Sequence, residues 1–393
     1  MDFVLTASER AFQREVRRVA RTVLAPLLGR LGEDLRPTPE LMGALTTAVL
    51  NGLAIPPEYG GAAPDEGMAL RLCLAREELS RYAADVEPVV AVQGLGAYPI
   101  VLAGTAEQKE RFLPPICRGE RLAAFALTEP GAGSDAANLE CRADRDGEHY
   151  VINGRKIFIS NACDIATYSL FARTGGEGHR GISAFIVEAG APGCAVEPME
   201  MVAAHIIGQV TFTDCRIPAS QLLGEEGRGF RVAMTTLDLF RASVGAQAVG
   251  LGLQALDLAL GRAKERRQFG RPIAEFQAIQ LKLAEMAAEL KAAKLLVYHA
   301  AWCKDQGHRV TGESSMAKLF ATEAAQRAVD AAVQIFGGYG VWKAYPTERL
   351  YRQVRAPRIY EGTSEVQKLV IARYLLEHSA ADVARTMLDL PEE

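Results

Sequence analysis

The hydrophobic period of this chain changes twice, near Arg121 and again near Phe230, and that double change is the tightest constraint on its fold. Apolar residues at helical spacing bury one stripe, whereas alternating apolar residues bury one face of a strand, so a single segment cannot serve both. Before Arg121 the signals are helical. Thr6 with Glu9 forms a capping box, Thr38 precedes Pro39 at a first helical turn, and Thr105 with Gln108 forms a second box. Breakers at Pro56-Pro57 and Tyr59-Gly60-Gly61 keep these helices short. From Leu122 to about Phe230 short β-type runs take over, at Tyr150-Val151-Ile152, Lys156-Ile157-Phe158-Ile159-Ser160, Ser183-Ala184-Phe185-Ile186-Val187 and Val210-Thr211-Phe212-Thr213. Asn153-Gly154 predicts a type I′ hairpin turn, because both residues accept positive φ. Beyond Phe230 the helical spacing returns. Ala246, Val249, Leu253, Leu256 and Leu260 mark one stripe, and Leu281, Ala284, Ala288, Ala292 and Leu295 a second, both expected to be mostly core. The pattern reads as an α+β multidomain chain with an N-terminal α-helical domain over residues 1–120, a middle antiparallel, barrel-like β domain over 121–230 and a C-terminal four-helix bundle over 231–393.

A length of 393 residues agrees with two or three domains. The formal net charge of -4 supplies no broad basic field, so nucleic acid is not an expected partner. Seven scattered cysteines without a Cys-x-x-Cys pair read as reduced thiols of a cytoplasmic protein. The six histidines lack a His-Glu-x-x-His pattern, and no metal is expected. Met1-Asp2-Phe3-Val4-Leu5 is unlike a signal peptide, and charges are expected to interrupt the apolar runs before membrane-spanning length.

Several stretches carry side chains suited to chemistry. Glu361 stands beside Gly362 just before a helix-start signal, where the hydroxyls of Thr363 and Ser364 can cap and Glu365 favours the positive helix end. A carboxylate on such a junction suits a general base, although a solvated glutamate before an ordinary N-cap has the same pattern. Phe125-Ala126-Leu127-Thr128-Glu129-Pro130-Gly131-Ala132-Gly133-Ser134-Asp135 lacks the third glycine of a dinucleotide fingerprint. Its glycines fit a turn, or a backbone that approaches an anion or flat ring. Asp238 and Arg241 share a helix face as an ion pair would. Glu265-Arg266-Arg267-Gln268-Phe269-Gly270-Arg271 is either an anion site or a charged turn.

Tyr360-Glu361-Gly362-Thr363-Ser364-Glu365 resembles the catalytic-base segment of the acyl-CoA dehydrogenases, flavoenzymes that desaturate acyl thioesters, and the other stretches match that family in order along essentially the whole chain. The resemblance implies FAD as cofactor. Phe125, Ala126, Leu127 and Thr128 would lie along the flavin ring, with Ser134 near the ring and the pantetheine arm of the substrate. Phe158-Ile159-Ser160 is similar to the family's aromatic-x-Thr segment, with the ring of Phe158 over one flavin face and the Ser160 hydroxyl at its edge. Arg266, Gln268, Phe269 and Gln277, together with Gln334, Ile335, Phe336, Gly337 and Gly338, would reach the FAD of a neighbouring subunit, and Thr363 and Glu365 also fall to the cofactor. Asp238, Arg241, Tyr360 and Gly362 fall to the substrate, and Leu95, Pro99, Ile100, Val101 and Leu102 resemble the helix that lines the acyl pocket.

Phe240 occupies the place where the long-chain and isovaleryl branches carry their glutamate, so the base is expected at Glu361, as in the short- and medium-chain branches. The family's Gly-x-Arg-x-Ser run is replaced by Ala203-Ala204-His205-Ile206-Ile207-Gly208-Gln209, which bears on the acyl donor; His205 by itself reads more readily as structural. Ala344 and Arg352-Gln353 also depart from the usual residues. The implied reaction removes the α-proton to Glu361 and the β-hydrogen as hydride to flavin N5, with an acyl-CoA or acyl-carrier-protein thioester as substrate and an electron-transfer flavoprotein as acceptor. An acyl-CoA oxidase, a carrier-protein-linked dehydrogenase and a non-catalytic flavin-binding protein stay open. A cofactor shared across subunits implies a homodimer or homotetramer.

Overall fold

The computed structural model describes residues 4–32, 35–48 and 50–377. Helices α1 (Ala7–Val19), α2 (Ala25–Leu31), α3 (Pro39–Thr47), α4 (Met68–Tyr82), α5 (Glu87–Ala103) and α6 (Ala106–Cys117) come first. Strands β1 (Leu122–Ala126), β2 (Arg142–Asp146), β3 (His149–Ser160), β4 (Ala166–Arg173), β5 (Ile182–Glu188), β6 (Cys194–Pro198), β7 (Ile207–Pro218) and β8 (Leu222–Leu223) follow. Helix α7 (Gly229–Glu265), a ribbon of β9 (Arg267–Gln268) and β10 (Arg271–Pro272), and helices α8 (Gln277–Asp305), α9 (Thr311–Phe336), α10 (Pro346–Gln353) and α11 (Ser364–Glu377) complete the described residues. Both expected capping boxes are formed, and Thr38 caps α3.

The chain folds into two compact units. One contains residues 21–68 and 85–237, the other residues 1–20, 69–84 and 238–393. In the first, the sheet runs β6-β7-β3-β2-β4-β5-β8, with β1 added against β4. It is mixed rather than wholly antiparallel, because β1 and β4 pair in parallel from Leu122↔Ala166 to Ala126↔Leu170. Tyr150, Tyr168, Phe185 and Phe212 fill its interior, with the Tyr150 and Phe185 rings edge to face at 4.8 Å. Helix α5 lies against β1. A Cβ on Gly96 would come within 2.4 Å of the Ala124 nitrogen, so only glycine permits this approach. Gln93, fully buried on the same helix, accepts the Ala123 N–H at 2.5 Å, and Ser169 Oγ donates to the Gly96 carbonyl at 2.7 Å.

The expected hairpin at Asn153-Gly154 is not a turn. β3 runs straight through it, and a register shift against β7 between Ile152 and Gly154 marks a bulge. Gly154 has φ +146°, and a Cβ there would lie 2.7 Å from the Cys141 Cα, so the glycine serves close packing. Asn153 pairs instead with Asp214, its Oδ1 accepting the Asp214 N–H at 2.8 Å. The β2–β3 hairpin turns at Gly147-Glu148, where Gly147 takes φ +58°.

The helical unit builds its core from α1, α4, the later part of α7, α8, α9 and α11. Ala246 and Val249 are buried as expected, but Leu260 is exposed. The second stripe departs further: Leu281, Ala284, Ala288, Ala292 and Leu295 are all exposed in the single chain. The buried face of α8 is Met286, Leu290, Ala293 and Val297. That helix is apolar on two sides, and spacing alone does not say which side a neighbour covers. Charges also fail to break α7 as expected. It is long and apolar enough to cross a membrane by length and composition, and 61% of the apolar window is buried within the protein, as in a core helix.

Candidate active site

In the helical unit the segment leading into α11 holds Glu361 in a left-handed backbone, φ +51°, followed by Gly362 at φ +93°. A non-glycine residue in that region stores strain on the order of 1 kcal/mol or more, which its surroundings must offset. Helix α9 supplies two anchors. Lys318, with no exposed surface, donates from Nζ to the Gly362 carbonyl at 2.7 Å. Glu323 accepts from Ser364 Oγ at 2.6 Å and from Arg358 Nε at 2.9 Å, holding the segment at both ends. Gln367 adds bonds from Nε2 to the carbonyls of Glu361 and Gly362 at 3.0 and 3.1 Å. Thr363 caps α11 through the Val366 N–H, whereas the Ser364 hydroxyl, expected to share that task, goes to Glu323. Glu365 sits exposed in the first turn, its carboxyl held below the ordinary value by its own backbone N–H and the Thr363 hydroxyl.

The Glu361 side chain retains partial solvent access, yet its Oε2 is buried and lacks a hydrogen-bond partner. Burial pushes its pKa up; the positive charges of Arg76, Arg241 and Lys318 pull against that. Burial likewise lowers Lys318, to about 8. Arg76 is 4% exposed and donates to Ser243 Oγ at 2.8 Å and Gln247 Oε1 at 3.1 Å, and the same Gln247 oxygen accepts from the Tyr360 hydroxyl. Arg241 pairs with Asp238 at 2.9 Å, while its buried Nε has no partner. Of the residues around this segment, sequence reasoning singled out Glu361, Tyr360, Gly362, Asp238 and Arg241. It missed Arg76, Gln247 and Lys318, which reach the segment from positions remote in sequence, and Gln367, which lies in the first turn of α11; none of the four carries a local motif.

A cleft of about 560 Å³ in the same unit brings together Arg266, Gln268, Ile335, Phe336, Gly337 and Gly338. Arg262, unanticipated, lies over the rings of Phe336 and Tyr339 at 5.5 and 4.7 Å, with its Nε buried and unpartnered. Phe269, Gln277 and Gln334 are exposed and do not line the cleft; Phe269 is 92% exposed at φ +51°.

In the β unit, Phe158 is the counterpart of Phe269. It lies within the register shift of β3 between Lys156 and Ile159, has φ +56°, and leaves 52% of its surface open. A strained backbone that presents a bare aromatic ring fits a flat partner better than a core role. Ile159 and Ala126 point into the core, so only their backbone can reach a ligand. Phe125 packs on Phe171 at 4.8 Å, and Ser134 is exposed. The buried pair Lys156–Glu129, 2.6 Å, fixes the intervening loop. Lys156 Nζ also donates to the Leu127 carbonyl at 2.9 Å, and the Ile157 N–H donates to the Thr128 carbonyl at 3.0 Å. Ser160 Oγ lies 2.7 Å from His205 Nε2. Burial pushes the His205 pKa down to about 4, so the ring is neutral near neutral pH.

The β unit thus presents an open aromatic ring at Phe158, and the helical unit holds the half-buried Glu361 carboxylate on a strained, pinned segment. The profile described as "Acyl-CoA dehydrogenase, N-terminal domain" matches residues 6–120, the middle-domain profile residues 124–215 and the C-terminal-domain profile residues 227–376. The chain belongs to the acyl-CoA dehydrogenase family. It is 39% identical to cyclohexane-1-carbonyl-CoA dehydrogenase of Geobacter metallireducens, over 93% of this chain and 96% of the relative, and 41% identical to an acyl-CoA dehydrogenase of Bacillus subtilis, over 95% and 99%. Among solved structures, butyryl-CoA dehydrogenase of Megasphaera elsdenii superposes with a TM-score of 0.90 at 40% identity, covering 96% of this chain and 100% of that one. The protein is thus an oxidoreductase of the CH–CH group of acyl-CoA, desaturating a thioester, with FAD as cofactor. The open ring of Phe158 and the orphaned Arg262 Nε in the cleft fit that cofactor.

Proposed function

We propose that Glu361 is the base that removes the α-proton of the acyl thioester. The observation that carries this reading is its buried, unpartnered Oε2 on a left-handed, multiply anchored backbone among Arg76, Arg241 and Lys318. Burial strengthens a carboxylate as a base, and the three cations favour its ionised form against that burial. The Glu361 N–H donates to the thioester carbonyl and stabilises enolate character as the proton leaves. FAD, when bound, supplies the acceptor for the β-hydrogen as hydride. Phe125 to Thr128 and Phe158 to Ser160 hold the flavin ring, with Ser134 beside the pantetheine arm; Asp238, Arg241, Tyr360 and Gly362 orient the substrate, and Thr363 and Glu365 complete the cofactor contacts.

Arg262, Arg266, Gln268 and the Ile335–Gly338 backbone hold phosphate and adenosine groups of a FAD carried by a second copy, with Phe269, Gln277 and Gln334 at its margin. The open α8 stripe and the bare Phe269 ring support self-association into a homodimer or homotetramer. Three domains, over residues 1–120, 121–230 and 231–393, a cytoplasmic location and an electron-transfer flavoprotein as acceptor complete the reading. Glu361→Gln tests its centre. The variant keeps its FAD, and anaerobic bleaching of the flavin band by acyl-CoAs of straight, branched and cyclic type is lost. Bleaching at the wild-type rate would remove Glu361 from the mechanism.

A further inference from the structure

We infer that His205 acts as a positioning residue that holds the Ser160 hydroxyl as a hydrogen-bond donor toward the bound flavin. The contact lies wholly within the β unit. Ser160 ends β3 opposite Ile207, the first residue of β7, and the Asn161 N–H donates to the Ile206 carbonyl at 2.8 Å. This pins the backbone of both partners, and the 2.7 Å contact between Ser160 Oγ and His205 Nε2 follows from that registry. Two residues earlier stands the open ring of Phe158, so the hydroxyl sits at the margin of the surface assigned to the cofactor.

A serine hydroxyl has one proton, and it can be given to His205 or to a ligand but not to both. The tautomer of His205 decides which. The ring's Nδ1 is buried and has no partner. Orphaned buried N–H groups are rarer in folded proteins than under-satisfied acceptors, so the bare lone pair belongs on Nδ1 and the proton on Nε2. Nε2–H then donates to Ser160 Oγ, and the Ser160 proton is left pointing away from the imidazole. Burial keeps the ring neutral, consistent with one N–H and one lone pair. A hydroxyl that accepts from its own protein keeps its proton free to donate to the flavin edge, and donation there favours the electron-rich, reduced ring.

This inference rests on the placement of Ser160 at the flavin, and the test separates the two. Imidazole ¹⁵N spectra of the FAD-loaded protein should show His205 protonated at Nε2 and bare at Nδ1; the opposite tautomer overturns the inference. His205→Ala should lower the flavin midpoint potential and weaken FAD binding on the order of five-fold, as expected for one hydrogen bond. His205→Gln, whose amide can still donate to Ser160, should restore most of both, whereas a merely structural role would not be rescued in this way. In Ser160→Ala the additional His205→Ala change should have no further effect on the potential. If Ser160→Ala shifts the potential but His205→Ala does not, the role of His205 is refuted and the flavin placement stands. If Ser160→Ala itself leaves potential and FAD affinity unchanged, the flavin placement of Ser160 falls, and the inference with it.

Discussion

Lys156→Met gives the sharpest test of how the Leu127–Glu129 loop, proposed to lie at the flavin, is held. The ammonium is completely buried, 2.6 Å from Glu129, whose own side chain is 6% exposed. Without it, Glu129 keeps only the N–H groups of Glu140 at 2.6 Å and Cys141 at 3.0 Å, and the Leu127 carbonyl loses its lysine donor. Stranding a buried charge in this way costs about 3–5 kcal/mol. The lost carbonyl bond belongs to the same network and is not added separately. The unit concerned has roughly 200 residues. At about 2–4 °C per kcal/mol for such a size, its melting temperature should fall by roughly 6–20 °C. Calorimetry at fixed FAD concentration reads the shift, and flavin absorbance reports whether the proposed contact of the Leu127–Thr128 backbone with the ring survives. Adding Glu129→Gln to Lys156→Met should recover part of the loss, because the stranded charge is gone. A single-variant cost below about 1 kcal/mol, or a double variant less stable than the single one, would refute the assignment of this pair as the loop's anchor.

Lys318 predicts a pH dependence of opposite sign to that of a paired surface lysine. Its folded pKa is lowered from 10.5 to about 8, so the unfolded chain binds more protons between those values and stability rises as pH rises through that window. The gain amounts to roughly 3 kcal/mol; it should appear as the difference between wild type and Lys318→Met in urea titrations at pH 7.5 and 10.5, since the buried thiols, whose pKa values are raised, contribute equally to both proteins. With Glu361 as the proposed base, Arg76→Met removes one of the charges that oppose the rise of its pKa, so the acid limb of the kcat profile should move to higher pH; an unmoved limb would mean that the charge does not reach the titrating group. Phe158→Gly relieves a left-handed phenylalanine and should stabilise the FAD-free protein by about 1 kcal/mol while weakening FAD binding, by melting and flavin titration. Gly154→Ala forces a Cβ to 2.7 Å from Cys141 Cα and should destabilise by about 1–3 kcal/mol in denaturant melts.

The order of helices, strands and helices was legible in the sequence because period and capping are local properties. Thr6, Thr38 and Thr105 each act within one helical turn, and the strand runs around Tyr150, Phe185 and Phe212 lie in strands. Glu361 was legible for the same reason: the glycine, the cap and the acid lie in one short segment. Tertiary structure decided what depends on a neighbour. Asn153-Gly154 has turn chemistry, yet the approach of Cys141 makes it a bulge, and the turn moves to Gly147. The apolar residues Leu281, Ala284, Ala288, Ala292 and Leu295 have core spacing, yet the core of this chain lies on the other side of α8. Ser364 has cap chemistry, yet Glu323 on α9 takes its hydroxyl. The same holds for the electrostatics of Glu361. Nothing local to Glu361 announces Arg76 or Lys318, because helices widely separated in the chain bring them there, and burial, which sets the direction of its pKa, is a property of the folded unit alone.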